Sequence, residues 1–477
     1  MTKKPTPTLD ADSDAMPNAS GMTRRRFMEL GAGAAAAAGL ATTATHAVAA
    51  PVDRASSLAA QSETVTVSFM RFAGLGWEHD TLFVDKFMEE NPNITVEADD
   101  VVYAEMFNKC LSAAATGDLA DVFAGHNRWA PYLAYKGLTL NLDEAAESGQ
   151  LTDFDDWFPS AIEDVRVASP NNELHWIPTV VHPAGNAVIV FNMSLLNEKG
   201  VTPPESSDWT IAEYDELIRA AADPDKNILG TDITVNNVLY TQQYTRSWGS
   251  DPDKGSEDAW LISADGLTMQ LESDPVKEGL EWYHGLVKDR LAPTSGEKAA
   301  LEGSGVDHFA AGMLASKAGT VGAPANLAQT VGDRFEIQAV LWPKGPNGHR
   351  GSAFSYNTQS VAAESEHPDE AIMLADYITG PEPAFWTGYE GTLHPMARRS
   401  AWFDERLWEK FPVMEEAAHW FESGIDPFPY AANLRNVELQ DAWKQETTAY
   451  FDGEEEWDDM VSHTLSACQA ILDQPKP

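Results

Sequence analysis

Cysteine is nearly absent from this chain: its 477 residues include only Cys110 and Cys468. No C-x-x-C pair occurs, which removes the common thiolate metal sites. Both residues fall on apolar faces of predicted helices and read as small buried thiols, a disulfide between them being the weaker alternative. Positive charge is scarce, with 32 Lys plus Arg against 74 Asp plus Glu and a formal net charge of −42. That balance excludes nucleic acid and anionic membrane surfaces as partners, since phosphates would be repelled rather than neutralised. Long apolar runs are missing, so no transmembrane helix is expected in the mature chain. Also missing are H-E-x-x-H, G-x-S-x-G, a P-loop and a dinucleotide fingerprint. No enzyme class, cofactor or metal is therefore indicated. Two carboxylates spaced about 5–9.5 Å for glycoside hydrolysis are not excluded among so many acids, but nothing singles a pair out.

What is present points to a folded, exported protein. Hydrophobic residues make up 43% and aromatics 10%, enough for packed interiors, and the length calls for two lobes rather than one core. The acid is spread along the whole chain. At about 1 M salt the Debye length shrinks to about 3 Å, so such a surface suits a halophile; the plainer alternative is an acidic surface without that adaptation. Near the N-terminus, Thr23-Arg24-Arg25-Arg26-Phe27-Met28 precedes an Ala/Gly-rich stretch from Gly31 to Ala44 and a small-x-small site at Ala47-Val48-Ala49. Charged region, short apolar region and cleavage site together read as a twin-arginine export signal over residues 1–50, with a linker over 51–63. Whether that signal is cleaved or retained as a surface anchor stays open.

The mature chain opens with strand–helix alternation. Thr64–Met70 alternates as a strand, a glycine loop leads to a helix from His79 to Glu90, and Ile94–Val96 begins a second strand. Tyr103 to Ala115 is helical and Asp121–Ala124 is a third strand, a spacing that predicts a parallel sheet. The pattern restarts with a buried strand at Ala187–Phe191. Thr210-Ile211-Ala212-Glu213 is a capping box opening a helix. Further helices are predicted from Asp274-Pro275 and His367-Pro368, and a last one carries Trp457, Val461, Leu465, Cys468 and Leu472 on one face.

The order of these segments resembles the extracellular solute-binding proteins of sugar importers, of the maltose-binding type, over roughly residues 64–474. The carriers are Phe87 to Val96 running through Asn91-Pro92, Ala115-Thr116-Gly117-Asp118-Leu119-Ala120-Asp121-Val122-Phe123, Tyr135-Lys136-Gly137-Leu138, Trp176-Ile177-Pro178, Phe191-Asn192, Val201 to Thr210, and Phe309 to Gly319. Two departures stand out: Ala120 where the family often has Pro, and Ala323-Pro324-Ala325-Asn326 where it often has a stacking Trp. The resemblance implies an α/β, two-lobe periplasmic-binding-protein-like fold with a hinge and an interlobe cleft. It also implies chain crossings near Val181–Gly185, Ala339–Pro343 and Thr379–Pro383. The lobes would then comprise 64–182 with 343–380, and 183–342 with 381–477. The implied function is that of a monomeric, non-catalytic component of an ABC transporter. It would sit outside the cytoplasm, extracellular or periplasmic, capture a mono- or oligosaccharide by lobe closure and deliver it to membrane permease subunits. Rivals are a binder of another solute, such as a polyol phosphate, peptide or polyamine, and an extracellular glycoside-degrading enzyme.

A sugar site needs aromatic plates and a fan of polar groups. Trp77 and Glu78 follow the first strand at the edge where open α/β sheets bind ligands. Asn127, Arg128 and Trp129 follow the third strand in the corresponding place, after His126. His182 falls at the first crossing. Tyr240 and Trp248 belong to an aromatic-rich stretch with Tyr244. Asn326 occupies the family's stacking loop, Ser352 and Ser355 follow the second crossing, and Tyr430 and Arg435 lie in the C-terminal segment. Each has a plainer reading as packing or surface residue. Arg128 and Arg435 also suit an acidic sugar, because a guanidinium fork matches a carboxylate.

Overall fold

The computed structural model describes residues 64–74, 77–183, 185–251, 257–303, 305–391 and 393–477; the export signal and linker of the sequence reading lie outside the described residues. The described strands are β1 (Val65–Phe72), β2 (Ile94–Val101), β3 (Val122–His126), β4 (Ile177–His182), β5 (Val188–Asn192), β6 (Ser316–Gly319), β7 (Ile337–Leu341) and β8 (Ser355–Val361). They form a five-stranded sheet of order β2-β1-β3-β8-β4 and a three-stranded sheet of order β6-β5-β7. The fold is α/β, of the two-lobe periplasmic-binding-protein kind.

In the first sheet β1 pairs in parallel with both β2 and β3, as the strand–helix–strand spacing predicts. Between these strands run helices Glu78–Glu90, which buries Phe83, Val84 and Phe87, and Tyr103–Thr116, which buries Met106 and Cys110. The second helix ends at Gly117, whose φ of +78° suits a residue without a side chain. β8 enters antiparallel to β3 and β4. The second sheet is antiparallel throughout, so the restart at Ala187 does not repeat the parallel unit. Its strands are joined through long helical excursions, and hydrophobic runs of this length carry no information about strand direction.

Local signals hold where the chemistry is local. Thr210 and Glu213 form the reciprocal cap of helix Ile211–Ala221, with Thr210 N donating to Glu213 Oε2 at 2.7 Å and Glu213 N donating to Thr210 Oγ1 at 3.3 Å. Helix Asp274–Lys288 buries Val276, Leu280, Tyr283 and Val287 on one face. Cys110 and Cys468 are buried free thiols.

The chain leaves the first sheet after His182, reaches the second at Val188, and returns between Leu341 and Ser355. Helix Pro381–Tyr389 packs on Glu78–Glu90 and β4, whereas Asn436–Phe451 and Trp457–Leu472 pack on each other, the former also on Asp274–Lys288. Among the described residues no helix is long and apolar enough to cross a membrane.

Candidate functional site

The end of β3 builds one wall of a partly open cavity of about 150 Å³. All five β3 residues are buried, and Gly125 admits β8 closely: a Cβ there would stand 2.6 Å from Thr358 Oγ1. Past His126 the chain turns at once, with Arg128 N donating to His126 Nδ1 at 3.0 Å and Trp129 N donating to His126 O at 3.0 Å. Pro131 then starts helix Ala130–Tyr135. This turn sets the Arg128 guanidinium 5.3 Å from the Trp129 ring centre, with Nη2 donating to Tyr103 Oη at 3.4 Å. Burial pushes the Tyr103 hydroxyl up to about 12, against the pull of Arg128. Burial also holds His126 well below its ordinary range, reinforced by Arg128, so the imidazole beside Ser355 Oγ (3.3 Å) is neutral.

The opposite wall comes from residues 237–240, beyond β5 in the chain. Asn237 caps helix Val238–Thr245, its Oδ1 accepting from Leu239 N at 3.0 Å, and Tyr240 stands one turn in. Asn186, in the link between the sheets, donates to Thr234 O and Tyr240 O at 3.0 and 3.2 Å. A third wall is Phe428-Pro429 with Asn436 and Gln440, one turn apart on helix Asn436–Phe451. Asn436 Nδ2 donates to Arg128 O at 3.2 Å, a hydrogen bond that crosses from this wall to the first.

Of the residues expected from the sequence, Arg128 and Tyr240 line this cavity, as does Ser355. The others lie elsewhere. Trp77 packs its ring 4.7 Å from Phe72, and Glu78 is exposed at the start of its helix. Asn127 is fully buried and donates to Phe354 O at 3.3 Å, tying β3 to β8. Trp129 lies beneath Arg128, buried against Tyr103 and His126. His182 faces His394 with ring centres 5.1 Å apart. Trp248 is buried against Trp282 and Tyr244. Asn326 sits within helix Ala323–Val331. Ser352 exchanges hydrogen bonds with Asp426. Tyr430 donates to Asp164 at 2.9 Å, beside Tyr356 at 2.8 Å, and Arg435 pairs with Glu438 at 2.6 Å.

Tyr103, Asn237, Phe428, Asn436 and Gln440 also line the cavity and escaped the sequence reading. Tyr103 occupies an apolar helix position that reads as core. Asn436 and Gln440 share a helix face at i, i+4, but only the packed structure tells which face meets Arg128. Phe428-Pro429-Tyr430 carried a usable signal, an aromatic cluster in an otherwise irregular stretch. Among the described residues no group of three or more His, Cys, Asp or Glu could hold a metal ion.

The family model for bacterial extracellular solute-binding proteins matches residues 80–384. The chain belongs to this family. Solved structures of the same fold include an ABC substrate-binding protein of Listeria monocytogenes in complex with cycloalternan. That protein is 18% identical with a TM-score of 0.69, over 86% of this chain and 99% of that one. The GacH receptor of Streptomyces glaucescens, solved unliganded and with acarbose, is 19% identical with a TM-score of 0.70, over 87% of this chain and 100% of its own. The sugar-binding protein MalE of Xanthomonas citri is 18% identical with a TM-score of 0.66, over 86% and 97%. No curated protein matches the chain. At these identities the structural likeness speaks for the fold, and the family match for membership of the extracellular solute-binding class.

Proposed function

We propose that this protein is the extracytoplasmic substrate-binding component of an ABC importer and that its solute is a sugar. The observation that carries this reading is the cavity itself: it lies among the ends of β3 and β8 and the helices Val238–Thr245 and Asn436–Phe451, and mixes rings (Tyr103, Tyr240, Phe428) with amide and hydroxyl groups (Asn237, Asn436, Gln440, Ser355). Rings stack on the apolar face of a sugar while amides and hydroxyls meet its hydroxyl groups. The named ligands of the similar structures, cycloalternan and acarbose, are consistent with that chemistry. Capture requires the lobes to part and close about the links at 183–187 and 342–354, and the closed form would dock on membrane permease subunits. Micromolar affinity needs about −8 kcal/mol, within reach of two or three ring contacts and several hydrogen bonds.

The reading is non-catalytic. None of the described residues lining the cavity is an aspartate or glutamate, which argues against the carboxylate pair of a glycosidase. Export by the Arg24-Arg25 signal, a monomeric state and a salt-rich habitat belong to the same proposal. We assign one lobe to each sheet, with Asn436–Phe451 and Trp457–Leu472 in the lobe of the second. The test is a thermal-shift and calorimetric screen of sugars, paired with small-angle scattering. A ligand that raises the melting temperature, compacts the protein and returns unchanged supports the reading. New reducing ends released from an oligosaccharide would sink it.

A further inference from the structure

Acids make up 74 of the 477 residues, yet no described residue lining the cavity is one. The charged side chain there is Arg128. It meets the Tyr103 hydroxyl at 3.4 Å and the Trp129 ring, and its Nε is buried without a hydrogen-bond partner. Several arginines elsewhere pair closely with acids: Arg71 with Asp100 at 2.7 Å, Arg219 with Asp215 at 2.6 Å, Arg406 with Asp404 at 2.6 Å, and Arg435 with Glu438 at 2.6 Å. Arg334 and Arg350 donate instead to backbone carbonyls, and buried Arg246, whose Nε and Nη2 also lack partners, has Asp426 4.0 Å away. Arg128 is half-buried, and among the described residues no carboxylate lines the cavity beside it; a cation partly withdrawn from water in this way favours a bound anion. The neighbouring imidazole of His126, held neutral by burial, adds no second positive charge.

We propose, on the reading that this cavity is the ligand site, that the solute is a sugar acid whose carboxylate is held by Arg128. A planar guanidinium fork takes a carboxylate through two parallel N–H···O bonds. The sugar ring then lies among Tyr240 and Phe428, with its hydroxyls toward Asn237, Asn436 and Gln440. One cation balances a monoanion; a phosphate dianion would leave excess negative charge inside a strongly acidic protein. The volume of about 150 Å³ falls below the 300 Å³ or so of drug-sized pockets, which fits a single uronate residue.

The experiment is titration calorimetry on the mature protein with matched probes: glucuronate against glucose, galacturonate against galactose, and glucose 6-phosphate as the phosphate arm. At least one uronate is expected to bind 30-fold or more tightly than its neutral hexose. Arg128→Gln should collapse that ratio to within threefold, and Arg128→Lys should recover part of it, with circular dichroism melts recording that both variants fold. The wild-type comparison stands even if neither variant does. A neutral hexose binding as tightly as its uronate overturns the inference and leaves the import reading in place. Tighter binding of the phosphate overturns the carboxylate assignment, and no binding of any sugar, acid or neutral, overturns both readings together.

Discussion

Gly185 lies so close beneath Tyr240 that a Cβ at residue 185 would stand 1.9 Å from the ring's Cδ1. The link between the sheets thus shapes the cavity wall by omitting a side chain. Gly185→Ala should drive the Tyr240 ring out of place, and ligand affinity should fall about tenfold or more, a cost of at least about 1.4 kcal/mol. Calorimetry with any ligand found for the wild type checks this; unchanged affinity would show that Tyr240 does not touch the solute.

Asp164 sits under the hydroxyls of Tyr356 and Tyr430, which donate to it at 2.8 and 2.9 Å. Burial pushes its carboxyl up to about 6 from an ordinary 3.8, although both hydroxyls pull the other way. Because the folded value is the higher one, the contribution of this group is fully present below about pH 4 and is lost as the pH rises through 6. The loss amounts to about 2–3 kcal/mol. Asp164→Asn should therefore gain stability relative to wild type between pH 4 and pH 7.5 in urea unfolding. Parallel pH profiles for the two proteins would refute this.

His463 bridges two helices, with Glu446 and Glu455 each 2.8 Å from a ring nitrogen. Burial opposes its charge, but the two carboxylates outweigh that and raise its affinity for a proton. Its stabilising contribution is present below the unfolded-state value near 6.5 and lost as pH rises through the higher folded value. The side chain is 39% exposed, so the effect is screened to about 0.5 kcal/mol. His463→Gln should cost that amount at pH 6 and nothing at pH 9, measured by denaturant midpoint.

The cap at Thr210 and Glu213 is local and separable from ligand capture. Thr210→Ala should cost about 1 kcal/mol of stability and leave ligand affinity as it was. A drop in affinity would mean that helix Ile211–Ala221 bears on the site.

A chain of net charge −42 adapted to a salt-rich medium should lose stability when the salt is diluted. Going from 1 M to 0.1 M KCl lengthens the Debye length from about 3 to about 10 Å, and carboxylates that ignored one another begin to repel. The melting temperature is expected to fall by about 10 °C or more over that range. A flat profile would leave the charge as an ordinary acidic surface.

Much of the first lobe was legible in the sequence because its signals are local. Phe83 and Phe87 stand one helical turn apart, Gly117 ends a helix, and strand and helix alternate at crossover spacing. The second sheet was less so, since the continuous apolar run Ala187–Phe191 marks a buried strand without saying which way β6 and β7 run beside it. The site divides in the same way. Arg128 could be placed because it follows a parallel strand at the ligand-binding edge. Trp248 and Tyr240 are neighbours on one aromatic stretch, and only the packing of Trp282 against Trp248 decides that Trp248 turns inward.

Composition, helix caps and family order are properties of short windows or of the whole count, so the chain alone determined them. Which side chains converge on 150 Å³ of space depends on residues as far apart as Arg128, Tyr240 and Asn436. Tertiary structure alone decided that, because burial and the loss of counter-ions are set by what packs across the cleft and leave no periodic trace along the chain.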